Sequence, residues 1–260
     1  MLRTKLFGFS SLTLALVLAG CGGGTPTPPA EQAESAPAAA PSAPIDPATA
    51  ATITGKIAFE GAKPTMARIR MDAVPACTEA NKEPVYSEEV VVNDNGTLRD
   101  VYVYVKEGLG DRTFPVPAES VKLEQLGCNY KPHVLGIMAG QKFEITNDDP
   151  TNHNVHPLPN VNREWNQSQP PGAPPLMQEF ARPEVMIPIK CNVHPWMKAY
   201  VGVQKHPFFA VTGADGTFNI KGLPPGNYTI EAWQEKYGAQ TMQVTVGPSE
   251  TKTADFSFKG

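Results

Sequence analysis

The sequence predicts an all-β protein, and three observations carry that expectation. Short alternating or β-branched runs recur from Thr52 onward, while no later stretch sustains a helical repeat. Turn-forming clusters separate them, at Asn93-Asp94-Asn95-Gly96, Asp215-Gly216 and Pro224-Pro225-Gly226. The 27 prolines suit many short loops and argue against long helices, because each fixes its own φ and lacks an amide donor.

Taken in order, the first strand is expected at 52–59, where Ile53, Ile57 and Phe59 punctuate a polar background. A valine run at 89–93 leads into the Asn-Asp-Asn-Gly turn, and 101–106 alternates valine with tyrosine. Phe143 and Ile145 alternate with polar partners at 143–146. In 185–191, Val185, Ile187 and Ile189 share one face and Cys191 keeps the same parity, which aims its sulfur inward. Further strands are expected at 200–203, 217–220, 228–233 and 241–246, each rich in valine, isoleucine or aromatic residues.

The N-terminus reads differently. Arg3 and Lys5 precede an apolar run at 6–18 that is too short for a permanent membrane span and fits an export signal. Leu18-Ala19-Gly20-Cys21 resembles the lipobox of bacterial lipoproteins; the alternative is an ordinary signal peptide ending near a chance cysteine. The resemblance implies a signal peptide at 1–20, lipidation of Cys21, and an exported protein anchored in the bacterial cell envelope on the periplasmic face. Gly22 in place of aspartate suits the outer membrane of a Gram-negative source. Residues 21–52 are rich in Gly, Pro and Ala with almost no bulky apolar side chains, and so are expected to form a disordered tether. A net charge of −4, more negative once Arg3 and Lys5 are removed, and the lack of a basic cluster argue against nucleic acid as a partner.

An exported chain lives where thiols oxidise, so each of the 4 cysteines needs a fate. With Cys21 assigned to lipid and Cys191 to the motif below, Cys77 and Cys128 remain as an even pair for which a disulfide is the simplest account. The alternative, that one of them assists a metal, has little support, since neither has a histidine two to four residues away.

Val211 to Ile230, with its Asp215-Gly216, Phe218, Leu223-Pro-Pro-Gly226 and Tyr228, resembles the carboxypeptidase regulatory-like, transthyretin-related β-sandwich. That family opens with strands like Thr54-Gly55-Lys56-Ile57 and Val101 to Val105, both far upstream. Two arrangements follow: one sandwich formed by 53–110 with 205–260 and split around an insertion, or a tandem of an N-terminal β region (53–125), a middle domain (126–204) and a C-terminal sandwich.

The middle block carries Thr151-Asn-His-Asn-Val-His156 and Cys191-Asn-Val-His-Pro-Trp-Met197. It resembles the cupredoxins, Greek-key blue-copper barrels, and among them the short-loop amicyanin kind. The resemblance implies one mononuclear copper ion with His153, Cys191 and His194 as equatorial ligands and Met197 as axial ligand. It also implies that Asn154 hydrogen-bonds across to the cysteine loop, and that His156 is not a ligand. A thiolate, two imidazoles and a thioether suit copper in both oxidation states, whereas zinc has little use for a thioether. His133 reads as structural or exposed, and His206 as part of the junction into the sandwich. The long proline-rich segment 157–183, with Trp165 and Met177, reads as a flap, a docking surface or a gate for copper.

The leading function is one-electron transfer to a redox partner protein in the envelope, with His194 at a solvent edge beside Pro195 and Trp196. Copper delivery, storage or sensing is the alternative, and a structural or adhesive lipoprotein a second one. No nucleophile with a neighbouring base and no repeated His-x-His cluster appears, so a carrier is expected and not an enzyme.

Overall fold

The computed structural model describes residues 44–260. The export segment, Cys21 and the tether up to residue 43 lie outside the described residues. The chain runs through β1 (Ala51–Glu60), α1 (Pro75–Ala80), β2 (Val91–Val92), β3 (Leu98–Arg99) and β4 (Tyr102–Glu107). A middle block follows: β5 (Val121–Gln125), β6 (Tyr130–Lys131), β7 (Val134–Met138), β8 (Phe143–Asn147), β9 (His153–Pro157), β10 (Gln167–Gln169), β11 (Leu176–Gln178), β12 (Glu184–Lys190) and β13 (Lys198–Gln204). The last strands are β14 (Phe209–Val211), β15 (Thr217–Leu223), β16 (Gly226–Gln234), β17 (Gly238–Val246), β18 (Thr251–Thr253) and β19 (Phe256–Lys259).

Strands from both ends of the chain share two sheets. β1 lies antiparallel to β15 and parallel to β18 and β19. The facing sheet runs β14-β4-β16-β17. Ile53 and Ile57 of β1, Val103 and Val105 of β4, Phe218 and Ile220 of β15, and Ile230 of β16 meet in one core. The alternation legible in each run is thus the alternation of core and solvent faces. Ordered structure begins before the expected end of the tether. Ile45 packs against this core, Ser249 N–H donates to the Thr49 carbonyl, and β1 starts at Ala51.

The middle block forms its own pair of sheets, β10-β9-β12-β13-β7 and β11-β8-β5-β6. Leu123, Leu135, Ile137, Phe143, Ile145, Val155, Ile187, Ile189 and Val201 fill the space between them. This body starts earlier than residue 126, because β5 pairs in parallel with β8 and buries Leu123 and Gln125. The region 53–125 does not hold together as a unit either. β1 and β4 belong to the outer sandwich, whereas Met71 and Cys77 pack into the core of the middle block.

One residue departs from the expected parity. Val185 is exposed, and Met186 takes a φ of 56° where the pairing of β12 with β13 shifts register between Glu184 and Ile187. The irregularity turns Val185 outward and buries Met186, while Ile187, Ile189 and Cys191 keep the inward face.

The two bodies meet through aromatic rings laid on glycine. Gly136 of β7 and Gly202 of β13 are cross-strand partners. A Cβ on Gly202 would come within 2.4 Å of the Tyr102 ring, and one on Gly136 within 2.5 Å of Phe209. This pair of missing side chains makes a flat patch of backbone on which Tyr102 and Phe209 of the sandwich rest. Val134, Met186, Tyr200 and Trp233 complete the contact. Beside it, His133 Nε2 lies 2.7 Å from Glu235 Oε2, and Tyr200 donates its hydroxyl to Glu235 Oε1. His133 is therefore a buried cross-body contact, and His206 is buried too, bonded to the Val105 carbonyl.

Candidate metal centre

The middle block brings three of the sequence-derived ligand positions, His153, Cys191 and His194, together, with Met197 at the end of the same loop. His153 opens β9, and Cys191 follows β12 directly. The loop from Cys191 to Met197 is cinched by Met197 N–H donating to the His194 carbonyl and Cys191 N–H to the Met197 carbonyl. One ligand atom each of His153, Cys191 and His194 lie within 4.8 Å of one another, all buried. The two Nδ1 atoms face each other at 2.8 Å, and His194 Nδ1 is 3.9 Å from Cys191 Sγ. Lone pairs converging this closely need a proton or a cation between them, so the donor set itself fits a metal ion. Met197 is fully buried within the same core.

Asn154 ties the two sides of the site together. Its Oδ1 accepts from the N–H groups of Asn192 (2.6 Å) and Val193 (3.3 Å) and lies 3.3 Å from Cys191 Sγ. The amide's other end donates to Asn166, and the Tyr130 hydroxyl donates to the Asn154 carbonyl. The His194 N–H points at Cys191 Sγ from 3.3 Å. Burial alone would raise the Cys191 pKa. The His153 ring and the N–H groups of Asn154, His194 and Val193 overcome that and hold the thiol below its ordinary value, favouring the thiolate. His194 is pushed below its ordinary value by burial and by the neighbouring His153, against a smaller pull from Asp149.

Asp149, which sequence reasoning passed over, completes the arrangement. It is buried, and its Oδ2 lies 2.9 Å from His153 Nε2. The carboxylate also accepts from the N–H groups of Gly127 and Cys128, both at 2.7 Å. Burial opposes its charge, but His153 and these two amides keep its pKa low. For His153 the burial penalty is likewise outweighed by Asp149 and Cys191, and its pKa rises. The carboxylate fixes the ring with Nδ1 turned inward. The only available signal was its position four residues before His153.

One expectation fails. His194 does not lie at a solvent edge; it is 1% exposed. Cys77, joined to Cys128 by a disulfide, places its sulfur 3.7 Å from His194 Nε2. Trp196 covers the ring from another side with centroids 5.2 Å apart, and its Nε1 donates to the Cys128 carbonyl. The segment carrying α1 therefore forms a cap over the edge expected to be open. His156 stands apart from the cluster, between Asn192 and Glu164. The 157–183 segment is strapped to the body: β10 pairs with β9, β11 pairs with β8, and buried Gln169 contacts Gln125.

No curated protein matches the chain. Similar solved structures include a purple cupredoxin from Nitrosopumilus maritimus, 20% identical over 32% of this chain and 99% of that one, with a TM-score of 0.28. A point mutant of amicyanin with Cu(I) is 18% identical over 39% of this chain and 98% of its own, with a TM-score of 0.29. A copper-containing nitrite reductase from Thermus scotoductus SA-01 is 21% identical over 35% of this chain, with a TM-score of 0.28; the match spans 25% of the reductase. Residues 195–259 match the model of the carboxypeptidase regulatory-like domain, which thus takes in β13 of the middle block together with β14 to β19.

Proposed function

We propose that the chain is a tethered blue-copper protein that carries single electrons in the cell envelope. The observation that carries this reading is the buried convergence of Cys191 Sγ with the Nδ1 atoms of His153 and His194 on a rigid β scaffold. His153, Cys191 and His194 would hold the copper, with the Met197 thioether as a further, weak donor. Copper supplies a one-electron couple there, and this soft ligand set suits both of its oxidation states.

The chain's own residues do the rest. Asn154 and the loop N–H groups keep the Cys191 sulfur in place, and Asp149 keeps the His153 ring from turning. A site held this tightly changes charge with little rearrangement. Lipid on Cys21 would anchor the protein to the membrane, with the residues after it setting its reach toward a redox partner.

The cap over His194 favours one competing reading, copper storage or delivery, since a closed edge slows exchange with a partner. Voltammetry of the copper-loaded full chain separates the two. A reversible one-electron wave is expected for the carrier; a colourless protein that binds only Cu(I) and gives no wave would favour storage.

A further inference from the structure

The two imidazoles of the centre each present a second nitrogen to a second set of donors. Among the described residues, Cys77, Cys128 and His194 form one buried group of possible ligand atoms, and Cys128, Asp149 and His153 form another. Cys77 Sγ is 3.7 Å from His194 Nε2, and Asp149 Oδ2 is 2.9 Å from His153 Nε2. The rings thus stand between Cys191 on one side and the Cys77–Cys128 pair on the other. While the two sulfurs are bonded to each other they are poor ligands. A dithiol reductant changes that: the S–S bond breaks, two electrons and two protons pass from the reductant to Cys77 and Cys128, and the reductant leaves as its own disulfide.

We propose that reduction of Cys77–Cys128 creates a second metal site, selective for a soft monovalent ion such as Cu(I). The ion is held by the two thiolates with His194 Nε2 as third donor. Each thiol gives up its proton on binding, and thiolates select Cu(I). The Cα atoms stand 5.5 Å apart, which keeps both sulfurs within reach of one ion. When both sites are filled, Nε2 also loses its proton and the His194 ring bridges them. Access comes through α1, a six-residue helix with no side-chain cap at its N-terminus. Its C-terminal end is held by Asn81, which donates to the carbonyls of Cys77 and Gly127. So short a helix opens readily. The chain then holds one copper ion when oxidised and two when reduced. The first count rests on the proposed blue-copper site; the added ion does not.

The test is an anaerobic Cu(I) titration of the full chain against a competing chelator, before and after treatment with a dithiol that is removed by gel filtration. Alkylation and mass spectrometry count the thiols. Reduction is expected to raise the stoichiometry from one to two. The Cys77→Ser and Cys128→Ser variants should stay at one under both conditions, and reduced Cys191→Ser should keep one ion. If the oxidised chain takes no copper and the reduced chain takes one that Cys77→Ser abolishes, this proposal stands and the electron-carrier reading falls. A stoichiometry unchanged by complete reduction would overturn it, as would a disulfide that opens only when the protein unfolds.

Discussion

At the scale of single residues, the properties of the centre depend on groups that never touch a metal. Asp149 holds His153 through a carboxylate, a stronger acceptor than a neutral oxygen, and in the proposed copper site would favour the more highly charged state of the metal. Asp149→Asn is expected to raise the reduction potential and to cost about 10-fold in Cu(II) affinity; an unchanged potential in voltammetry would leave Asp149 with a folding role only. Asn154→Ala removes the acceptor of two amides of the ligand loop, a loss of about 1–3 kcal/mol. Chemical denaturation should register it, with broadened copper spectra. Cys191, His194 and Met197 were legible as candidate ligands because Cys-x2-His-x2-Met is local in sequence and chemically distinctive, and the structure brings Cys191 and His194 together with His153. Asp149 was not legible, because a carboxylate four residues from a histidine is common and only burial gives it a role.

At the scale of elements, α1 and the disulfide turn an open rim into a closed one. The pairing of Cys77 with Cys128 followed from counting cysteines, but its position against His194 did not, since the 51-residue separation says nothing of what lies beside the bridge. The double Cys77→Ser, Cys128→Ser variant is expected to lose about 3–4 kcal/mol. Faster copper exchange, followed by chelator competition, should accompany that loss as the cap loosens. Most strands with alternating valines or aromatics were recognisable, but β19, where Phe256 and Phe258 alternate with polar partners, was not. β7 and β9 were not, because Gly136 and the polar His153-Asn154 pair interrupt the apolar pattern that marks a strand, and β5 was passed over although Val121 and Leu123 alternate with Lys122 and Glu124. Parity failed only at Val185, where a local bulge intervened.

At the scale of the whole molecule, strands on either side of the middle block share sheets, and the two bodies are joined by the Gly136–Gly202 patch and the His133–Glu235 pair. Gly202→Val would drive side-chain atoms into the Tyr102 ring. It is expected to cost about 1–3 kcal/mol by overpacking and to split a single thermal transition in calorimetry. The ion pair adds a pH signature. Burial opposes charge on His133, but Glu235, with Asp100 and Glu88 nearby, raises its pKa above the ordinary 6.5. Burial also opposes charge on Glu235, yet His133, the Tyr200 hydroxyl and Lys198 bring its pKa below 4.5. The raised histidine contributes fully below pH 6.5, and its share is lost as pH rises through the folded value. The depressed glutamate contributes fully above pH 4.5, and its share is lost as pH falls through the folded value. Relative to Glu235→Gln, stability should therefore peak between these limits and converge on either side; a difference independent of pH would leave the pair uncharged. The turn motifs pointed to the C-terminal sandwich, but the glycine patch was hidden, because Gly136 and Gly202 become neighbours only through the pairing of two strands far apart in sequence.

A copper site built on the Cys191 sulfur is best tested by the optical and EPR spectrum of the copper-loaded full chain beside Cys191→Ser. The wild-type chain should give an intense visible sulfur-to-copper band and narrow copper hyperfine splitting, and the variant should lose both. A variant that keeps the same band and splitting would contradict the site described.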